Sequence, residues 1–339
     1  MWGRPSACGG LSGRPLDLIY MTQPRRASLR ALAKINLDLR VLYPRPDQYH
    51  ELRTIFQTIS LADTIEVEFA SARRTAIQID DAAGIPDNLI VRAANLVLQA
   101  MRINARVEFR LLKRIPMGAG LGGGSSDAAA VLLALPVLAG RPLELPRLME
   151  LAAQLGSDVP FFLLGGAAVA VGRGTELYPL PDLPPRRGLL IAPQVHVSTA
   201  AAYRALTPRL TTESQQNKIV SFQSQVWSGL PAGPVESKRQ SFVNDFETVV
   251  FEQFPQLASL KHKLVKLGAS PAMMTGSGSA LFGLFPSQEQ INRAIKTFSG
   301  ERVFPISLVS RTRYRRLWWR ALQPHIEGKL WPPLSRSGR

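Results

Sequence analysis

The chain has 339 residues and a formal net charge of +16, and a chain of this length usually folds as more than one domain. Its hydrophobic content of 45% excludes a disordered protein. The single cysteine excludes a disulfide framework within the chain, and no apolar run approaches the roughly 18 residues of a membrane helix. The cytoplasm is therefore the simplest predicted compartment.

The positive charge is concentrated at the two ends of the chain. Residues 1–30 carry a net charge of +4 and residues 302–339 carry +8, so the rest has an ordinary surplus of +4. Residues 1–27 mix Gly, Pro, Arg and Ser without periodicity and are predicted to be a disordered N-terminal extension. Translation starting at Met21 is one alternative. A plastid transit segment at residues 1–20, which contain Arg and few acids, is another.

Short strands with occasional helices are predicted for a first domain over residues 28–184. Alternating apolar residues predict the strands, and apolar residues at helical spacing predict the helices. In chain order the strands lie at 29–42, 55–59, 64–69 and 107–112, and the helices at 88–102, 126–135 and 148–155. Asp87 is the predicted cap of the first helix.

A proline-rich stretch at residues 180–187 predicts the boundary to a second domain over residues 185–310. The predicted elements there are a strand at 189–193, helices at 199–206, 242–251 and 256–267, and strands on both sides of residues 276–279. Residues 207–240 are polar, and residues 311–339 form a basic, aromatic tail. Because strands and helices do not alternate regularly, the pattern indicates the α+β class rather than a doubly wound sheet.

A glycine-rich loop is the strongest motif in the chain. Five glycines within seven residues remove side-chain bulk, so backbone N–H groups can close around an anion. Ser125, Ser126 or Asp127 can cap the following helix, whose N-terminal amides and dipole favour a phosphate. We therefore predict that a di- or triphosphate binds Pro116, Met117, Gly118, Ala119, Gly120, Leu121, Gly122, Gly123, Gly124, Ser125 and Ser126. A plain connecting turn is the alternative.

Two other types of phosphate loop fit this segment less well. No Lys-Ser or Lys-Thr pair follows the glycines, which excludes a Walker A motif. Gly118, Gly120 and Gly123 satisfy G-x-G-x-x-G, but a dinucleotide-binding fold needs the first glycine directly after the strand. Here Lys113 to Pro116 intervene, and Glu144 lies in a Pro/Leu segment unlike the buried strand that would end in the ribose-binding acid.

Residues 116–126 resemble the nucleotide loop of the GHMP kinases. Two further blocks resemble the same superfamily, Ala33-Lys34-Ile35-Asn36-Leu37 near the start and residues 274–280 near the end. The resemblance implies a two-domain GHMP kinase fold, with a ribosomal-S5-like N-terminal half that binds the nucleotide and a ferredoxin-like C-terminal half. It also implies ATP as the phosphoryl donor, accompanied by Mg²⁺.

Narrower blocks resemble the diphosphocytidyl-methylerythritol kinases within that superfamily. They are residues 45–52, 156–162, 172–177 and 244–247, and together the blocks occur in the family's order between residues 28 and 310. The resemblance implies ATP-dependent phosphorylation of the 2-hydroxyl of 4-diphosphocytidyl-2-C-methyl-D-erythritol in non-mevalonate isoprenoid biosynthesis. Gln48 departs from the pattern, because it stands where the family's Asp-Gly-Tyr-His turn has Gly.

The resemblance also implies roles for individual residues. Asp158 is the catalytic base that takes the proton from the attacking hydroxyl. Lys34 pairs with Asp158 and with the substrate hydroxyl, and Asn36, on the same face of the strand, orients the substrate. From the residues alone, a turn or helix-cap aspartate and a lysine on an edge strand stay open as alternatives.

Aromatic residues are the candidates for recognising the cytidine. Tyr49 and His50 offer ring stacking and hydrogen bonds to a cytosine, and Tyr203 is expected to supply the second face of that stack. Residues 275–278 are expected to pack near the phosphate loop or substrate, with a simple hairpin turn as the alternative. Because the four histidines are scattered, no metal-ligand cluster is predicted.

The tail segment 311–320 interleaves cations and aromatic rings, a mixture that can bind RNA or an anionic membrane surface. We favour instead a helix with a packed aromatic face and solvated arginines, without a membrane or nucleic-acid partner. Two other functions stay open. One is another GHMP kinase such as homoserine kinase, and the other is a nucleic-acid-binding or regulatory protein on a kinase scaffold.

Overall fold

The computed structural model describes residues 23–227 and 242–326. Its first half contains β1 (Arg25–Pro44), β2 (His50–Ser71), β3 (Ala76–Asp81), α1 (Leu89–Met101), β4 (Ala105–Leu112), α2 (Gly123–Leu138), α3 (Leu145–Leu155), α4 (Val159–Leu164), β5 (Ala167–Gly172) and β6 (Glu176–Pro179). These strands form one sheet in the order β3-β4-β2-β5-β6, with β1 paired to β2. All pairs are antiparallel except β3 with β4.

The second half contains β7 (Arg187–Ala192), α5 (Thr199–Leu206), α6 (Thr212–Trp227), α7 (Glu247–Gln253), α8 (Pro255–Lys266), β8 (Ala272–Met274), β9 (Leu281–Phe285), α9 (Gln288–Thr297), β10 (Arg302–Ser307) and α10 (Arg311–Leu322). Its sheet is antiparallel throughout and has the order β10-β7-β9-β8. Among the described residues, no helix is long and apolar enough to span a bilayer.

Three clusters of buried apolar residues form the core of the protein. One lies between the first sheet and its helices, with α2 at its centre, and one lies between the second sheet and α5, α7, α8 and α9. The third joins the sheets, because Ile35, Ile55 and Ile59 of the first pack with Phe282 and Leu284 of the second. Burial of this shared apolar surface fixes the position of one half against the other.

Two strand predictions differ from the structure in ways that matter for the site. The predicted strands at 55–59 and 64–69 are one strand, because Ala62 and Asp63 stay paired with β1. In β1 the register shifts between Leu32 and Lys34 and again between Asn36 and Asp38. Such irregularities change the direction in which side chains point. They bracket the two polar residues that the sequence assigns to the site.

Several element boundaries also needed correction. Asn88, not Asp87, caps α1, because its side chain accepts a hydrogen bond from the Ile90 amide. The polar region 207–240 contains α6, held to β1 by Arg40, which bonds Gln225 and the Lys218 carbonyl. The helix predicted at 242–251 begins only at residue 247, because the chain before it bonds the backbone of Leu39.

The two ends of the described chain pack in the first half, although α10 comes after the second half in sequence. Strand β1 begins at Arg25, so residues 25–27 are not part of an extension, and residues 1–22 lie outside the described chain. Residues 311–322 are not a separate tail, because Tyr314, Trp318 and Leu322 of α10 are buried in the first apolar cluster. The favoured interpretation, a helix with a packed aromatic face, is therefore confirmed. Residues 327–339 lie outside the described chain.

A buried ion cluster connects β2, the end of β4 and α2. The Lys113 ammonium lies 2.6 Å from Asp63 Oδ2 and 2.7 Å from Asp127 Oδ2. Asp63 Oδ1 accepts hydrogen bonds from the amides of Arg114 and Ile115, so it also fixes the chain that leads into the glycine-rich loop. Burial raises the pKa of Asp127 to about 7, with Lys113 opposing the rise and Asp63 adding to it. The two carboxylates outweigh burial at Lys113 and raise its pKa.

We predict that the stability of the Asp127→Asn variant depends less on pH than that of the wild type. Between about pH 4 and pH 7, folded Asp127 retains a proton that the unfolded chain has released, so its contribution to stability falls as pH rises through this window. The urea unfolding midpoint, measured from pH 5 to pH 8, should fall less in Asp127→Asn than in the wild type. Asp80→Asn, at an exposed carboxylate, is the control; an equal slope in wild type and Asp127→Asn would contradict the prediction.

Candidate active site

The glycine-rich loop turns through left-handed conformations before α2 begins. Gly118, Gly120 and Gly122 have φ values of 65°, 78° and 67°, which residues with a Cβ rarely adopt. Gly122 is the N-cap of α2, and no side chain caps this helix. The predicted caps Ser125, Ser126 and Asp127 lie inside the helix instead. The first-turn amides of α2 therefore carry no side-chain acceptor and can bind an anion.

The serines of the loop have different environments. Ser126 is fully buried, and its hydroxyl donates to the Leu32 carbonyl at 2.8 Å. Its amide donates to the Gly122 carbonyl at 2.9 Å, so both its side chain and its amide already have partners within the protein. Ser125 is half-buried in the first turn of α2. Of the two predicted hydroxyls, Ser125 is the one that the fold leaves at the loop surface.

The loop contacts Lys34 and the helix that follows Asp158. The Lys34 amide donates to the Leu121 carbonyl at 3.0 Å. A Cβ on Gly122 would lie 2.9 Å from the ring of Phe162, four residues after Asp158, and a Cβ on Gly123 would lie 3.1 Å from Lys113 Nζ. The close packing leaves no space for side chains at these positions and fixes the loop against β1 and α4.

A second glycine loop, residues 275–278 between β8 and β9, lies directly against the first. A Cβ on Gly120 would collide with the Thr275 carbonyl oxygen, and one on Gly276 would lie 3.0 Å from the Gly120 Cα. The Ala280 amide also donates to the Ala119 carbonyl at 3.4 Å. The predicted packing of this segment against the phosphate loop is therefore confirmed, although it also closes the β8–β9 hairpin.

Polar side chains from both halves hold the second glycine loop. Asn36 Oδ1 accepts from the Gly276 amide at 3.0 Å and from Lys34 Nζ at 2.8 Å. Asn244 Nδ2 donates to the carbonyls of Met274 and Gly276, and Glu247 accepts from the Met274 amide. The sequence analysis gave Asn244 and Glu247 no individual role; their signal was that block 244–247 resembles the family.

The prediction that Asn36 contacts substrate needs correction. Asn36 is only 2% exposed, and its carboxamide also donates to Thr54 Oγ1 at 2.8 Å. Its bonds to Lys34, Thr54 and the second glycine loop hold it in the interior, between β1 and that loop. Asn36 therefore positions Lys34 and the loop, and its own side chain is directed into the protein.

Lys34 and Asp158 meet as the sequence analysis expected. Lys34 is 4% exposed, and its ammonium lies 3.5 Å from Asp158 Oδ2 and 5.1 Å from the centroid of the Phe56 ring. Asp158 occupies the N-cap position of α4, but its side chain makes no capping hydrogen bond. Pro160 lies in the first turn, where it starts the helix. The Asp158 side chain is 33% exposed, so its carboxylate is accessible to a bound alcohol.

The aromatic residues are arranged differently from the predicted stack. His50 and Tyr203 stack on each other, with ring centroids 4.7 Å apart and planes at 23°. A base between them would need about twice the spacing of one stacked pair, so Tyr203 does not form the second face of a stack with His50. Burial lowers the pKa of His50, and its Nε2 lies 2.9 Å from Thr207 Oγ1. Burial and the Asp158 charge raise the pKa of Tyr203 to about 12.

Tyr49 has the exposure that a base-stacking residue needs. Its side chain is half exposed, and the Arg173 guanidinium lies 4.7 Å from its ring centroid. Arg173 stands between Gly172 and Gly174, which both have positive φ. The sequence analysis did not single out this arginine, although it lies in the block 172–177 that resembles the family.

Comparison with known proteins gives one consistent family. The family models for the GHMP kinases N terminal domain and the GHMP kinases C terminal match residues 88–166 and 235–301. A 4-diphosphocytidyl-2-C-methyl-D-erythritol kinase from Solibacter usitatus is 61% identical over 320 residues, which cover 93% of this chain and 99% of the relative. One from Pelotomaculum thermopropionicum is 40% identical over 289 residues, covering 85% and 98%.

Comparison with solved structures supports the same family. A crystal structure of 4-(cytidine 5'-diphospho)-2C-methyl-D-erythritol kinase is similar with a TM-score of 0.68 and 38% identity, covering 83% of this chain and 98% of that one. Homoserine kinase from Cytophaga hutchinsonii, at 20% identity and a TM-score of 0.64 over 87% and 98%, shares the fold. The expected α+β, two-domain GHMP kinase fold is thereby confirmed. The chain is a small-molecule kinase and belongs to the 4-diphosphocytidyl-2-C-methyl-D-erythritol kinase family of the GHMP kinases.

Proposed function

We propose that the enzyme transfers the γ-phosphoryl group of ATP to the 2-hydroxyl of 4-diphosphocytidyl-2-C-methyl-D-erythritol. One observation carries the proposal. Lys34 bonds the phosphate loop through its backbone amide and faces the Asp158 carboxylate, 3.5 Å away, through its side chain. A single strand residue therefore connects the part of the site that binds polyphosphate with the carboxylate that accepts the proton.

The loop over residues 116–126 binds the ATP phosphates through backbone amides and the N-terminus of α2. The helix has 16 residues, and its dipole favours negative charge at this end. Glycines at 118, 120 and 122 allow the turn, and the second glycine loop supports it from behind. In phosphoryl transfer, catalysis consists mainly of positioning and charge stabilisation, which this fixed backbone supplies.

Asp158 removes the proton from the attacking hydroxyl as the phosphoryl group is transferred. Its carboxylate is free of capping bonds and partly exposed, so the alcohol can reach it. The Lys34 ammonium orients the carboxylate, and Asn36 holds the ammonium by accepting from Nζ at 2.8 Å. Lys34 and Asn36 are both buried on β1, which keeps the geometry fixed before substrate binds.

Mg²⁺ fits this donor set. The ion usually keeps several waters and binds through one or two carboxylates and the phosphates of the substrate. The described residues contain no group of three or more His, Cys, Asp or Glu side chains that could hold a metal by themselves. Ser125, in the first turn of α2, would hold the ion together with the phosphates, and Asp158 stays free to act as the base. Bound there, Mg²⁺ would neutralise charge on the transferred group.

Tyr49, His50 and Arg173 bind the diphosphocytidyl end of the substrate. The exposed Tyr49 ring offers a face for the cytosine, and His50, whose pKa is lowered by burial, offers a neutral imidazole for hydrogen bonds. Tyr203 supports His50 by stacking, and its nearness to Asp158 connects this end with the base. A nucleotide-linked alcohol matches this arrangement better than a small alcohol such as homoserine.

The hypothesis of a nucleic-acid-binding scaffold, which was motivated by the basic tails, loses one of its supports, although Trp319 is 38% exposed. The rings of Tyr314 and Trp318, which would stack on bases, are buried in the first apolar cluster. The cytoplasm stays the predicted compartment. The segment that would carry a plastid transit signal, residues 1–20, lies outside the described chain.

A coupled ADP-release assay tests the proposed reaction. We expect kcat/KM for 4-diphosphocytidyl-2-C-methyl-D-erythritol to exceed that for homoserine or mevalonate by at least about 10²-fold, because polar groups built to bind the cytidine are left unpaired by the smaller alcohols. Equal or faster turnover of homoserine would overturn the substrate assignment while leaving the kinase assignment intact.

We predict that Asp158→Asn reduces kcat by about 10²–10⁴-fold, the usual effect of removing a positioned acid–base group. Its affinity for ATP should remain near that of the wild type, because the loop contacts of Lys34 and Phe162 do not involve the carboxylate. Single-turnover kinetics and calorimetric titration with ATP measure the two quantities. Asp87→Asn, at an exposed carboxylate paired with Arg92, is the matched control. Near-normal turnover of Asp158→Asn would remove this residue from the base role.

A further inference from the structure

The helix that carries Asp158 is too short to hold its own position. Helix α4 has six residues, and isolated helices of this length are not stable in water. Its place must therefore be set by the elements packed around it. On one side, the Phe162 ring lies against Gly122 of the phosphate loop, and Phe161 packs with Phe56 of β2 at 5.0 Å between ring centroids.

The other side of α4 is held by the C-terminal helix α10. The Phe162 carbonyl lies in the last turn of α4, where carbonyl groups have no amide of the same helix as a hydrogen-bond donor. The Tyr314 hydroxyl donates to it at 2.5 Å. Tyr314 is almost completely buried, at 1% exposure. One residue, Phe162, therefore touches the phosphate loop with its ring and α10 with its carbonyl.

The two glycines that follow α4 leave the space that α10 occupies. Gly165 and Gly166 have φ values of 64° and 73°. A Cβ on Gly165 would collide with the Tyr314 ring, and one on Gly166 would lie 2.7 Å from Arg311 Cβ. Any side chain at either position would push α10 away from α4.

Arg311 anchors the start of α10 to the chain that leaves α4. Its guanidinium donates to the Ala167 carbonyl at 2.5 Å and to the Leu180 carbonyl at 3.1 Å. Its backbone amide donates to Asp182 Oδ1 at 2.6 Å. Arg311, the first residue of the basic segment, therefore bonds within the protein and holds α10 beside α4.

We propose that Tyr314 is a positioning residue for the reaction, and that α10 is part of the support of the catalytic base. The proposal rests on the assignment of Asp158 as the base. The Tyr314 hydroxyl fixes the C-terminal end of α4 so that Asp158, at its N-terminal end, stays opposite Lys34. A small shift of α4 changes the distance from the carboxylate to the acceptor hydroxyl, and misplacements of about 1 Å can cost up to about 10²-fold in rate.

The test is a double-mutant cycle of Tyr314→Phe with Asp158→Asn. Tyr314→Phe keeps the ring and removes the hydroxyl, and we expect kcat to fall about tenfold with the KM for ATP unchanged. In the Asp158→Asn background the same substitution should change the residual rate by less than about twofold, because the carboxylate to be positioned is absent. Leu322→Val is the control on the same helix. Leu322 is buried but bonds nothing in α4, so this variant should lower the unfolding midpoint and leave kcat unchanged.

The outcomes of these experiments distinguish the positioning role of Tyr314 from the base role of Asp158. An equal loss of rate in both backgrounds, or unchanged kcat in folded Tyr314→Phe, would overturn the positioning role of Tyr314. Near-normal turnover of Asp158→Asn alone would instead overturn the base assignment. If Tyr314→Phe does not fold, Asp182→Asn weakens the bond to the Arg311 amide from an exposed position. It should then lower kcat about threefold in the wild-type background only, and an unchanged kcat there would overturn the proposal.

Discussion

The contact between the two glycine loops is the constraint on which the site depends. Gly120 of the phosphate loop and the Thr275–Gly276 backbone approach so closely that neither loop has space for a side chain at the contact. The first loop comes from the first half of the chain, before α2, and the second from the hairpin β8–β9 of the other half. Their packing, with the apolar cluster between the sheets, holds the two halves in one arrangement. Asn36 reinforces this contact by bonding both Lys34 and the Gly276 amide.

Some features of the site could be predicted because the signal is local. Five glycines before a helix carry their conformational requirement in the sequence itself, and the positive φ values at Gly118, Gly120 and Gly122 match that requirement. The class of the fold followed from the order of strands and helices. The roles of Lys34 and Asp158 came only from the family resemblance, since a buried lysine and a turn aspartate have common structural explanations; the structure brings them within 3.5 Å.

Other features depend on partners distant in sequence and could not be predicted. The sequence analysis ended one strand at residue 59 and began the next at 64, but Asp63 lies within β2, and its carboxylate accepts from the amides of residues 114 and 115. Asn36 was assigned to substrate, but its partners in the second glycine loop are about 240 residues away. Tyr203 was placed across a base from His50, whereas the two rings stack directly. In each case tertiary contacts decided the role of a polar or aromatic side chain.

The ATP affinity of Gly120→Ala tests the central claim most directly. Alanine at φ 78° costs about 1–2 kcal/mol, and its Cβ would strike the Thr275 carbonyl, so the loop must move. We expect calorimetric titration to show at least about a tenfold loss of affinity for ATP in a protein that remains folded. Gly300→Ala, where a Cβ meets open space, should bind ATP like the wild type. Unchanged ATP affinity in folded Gly120→Ala would contradict the claim that this contact shapes the phosphate site.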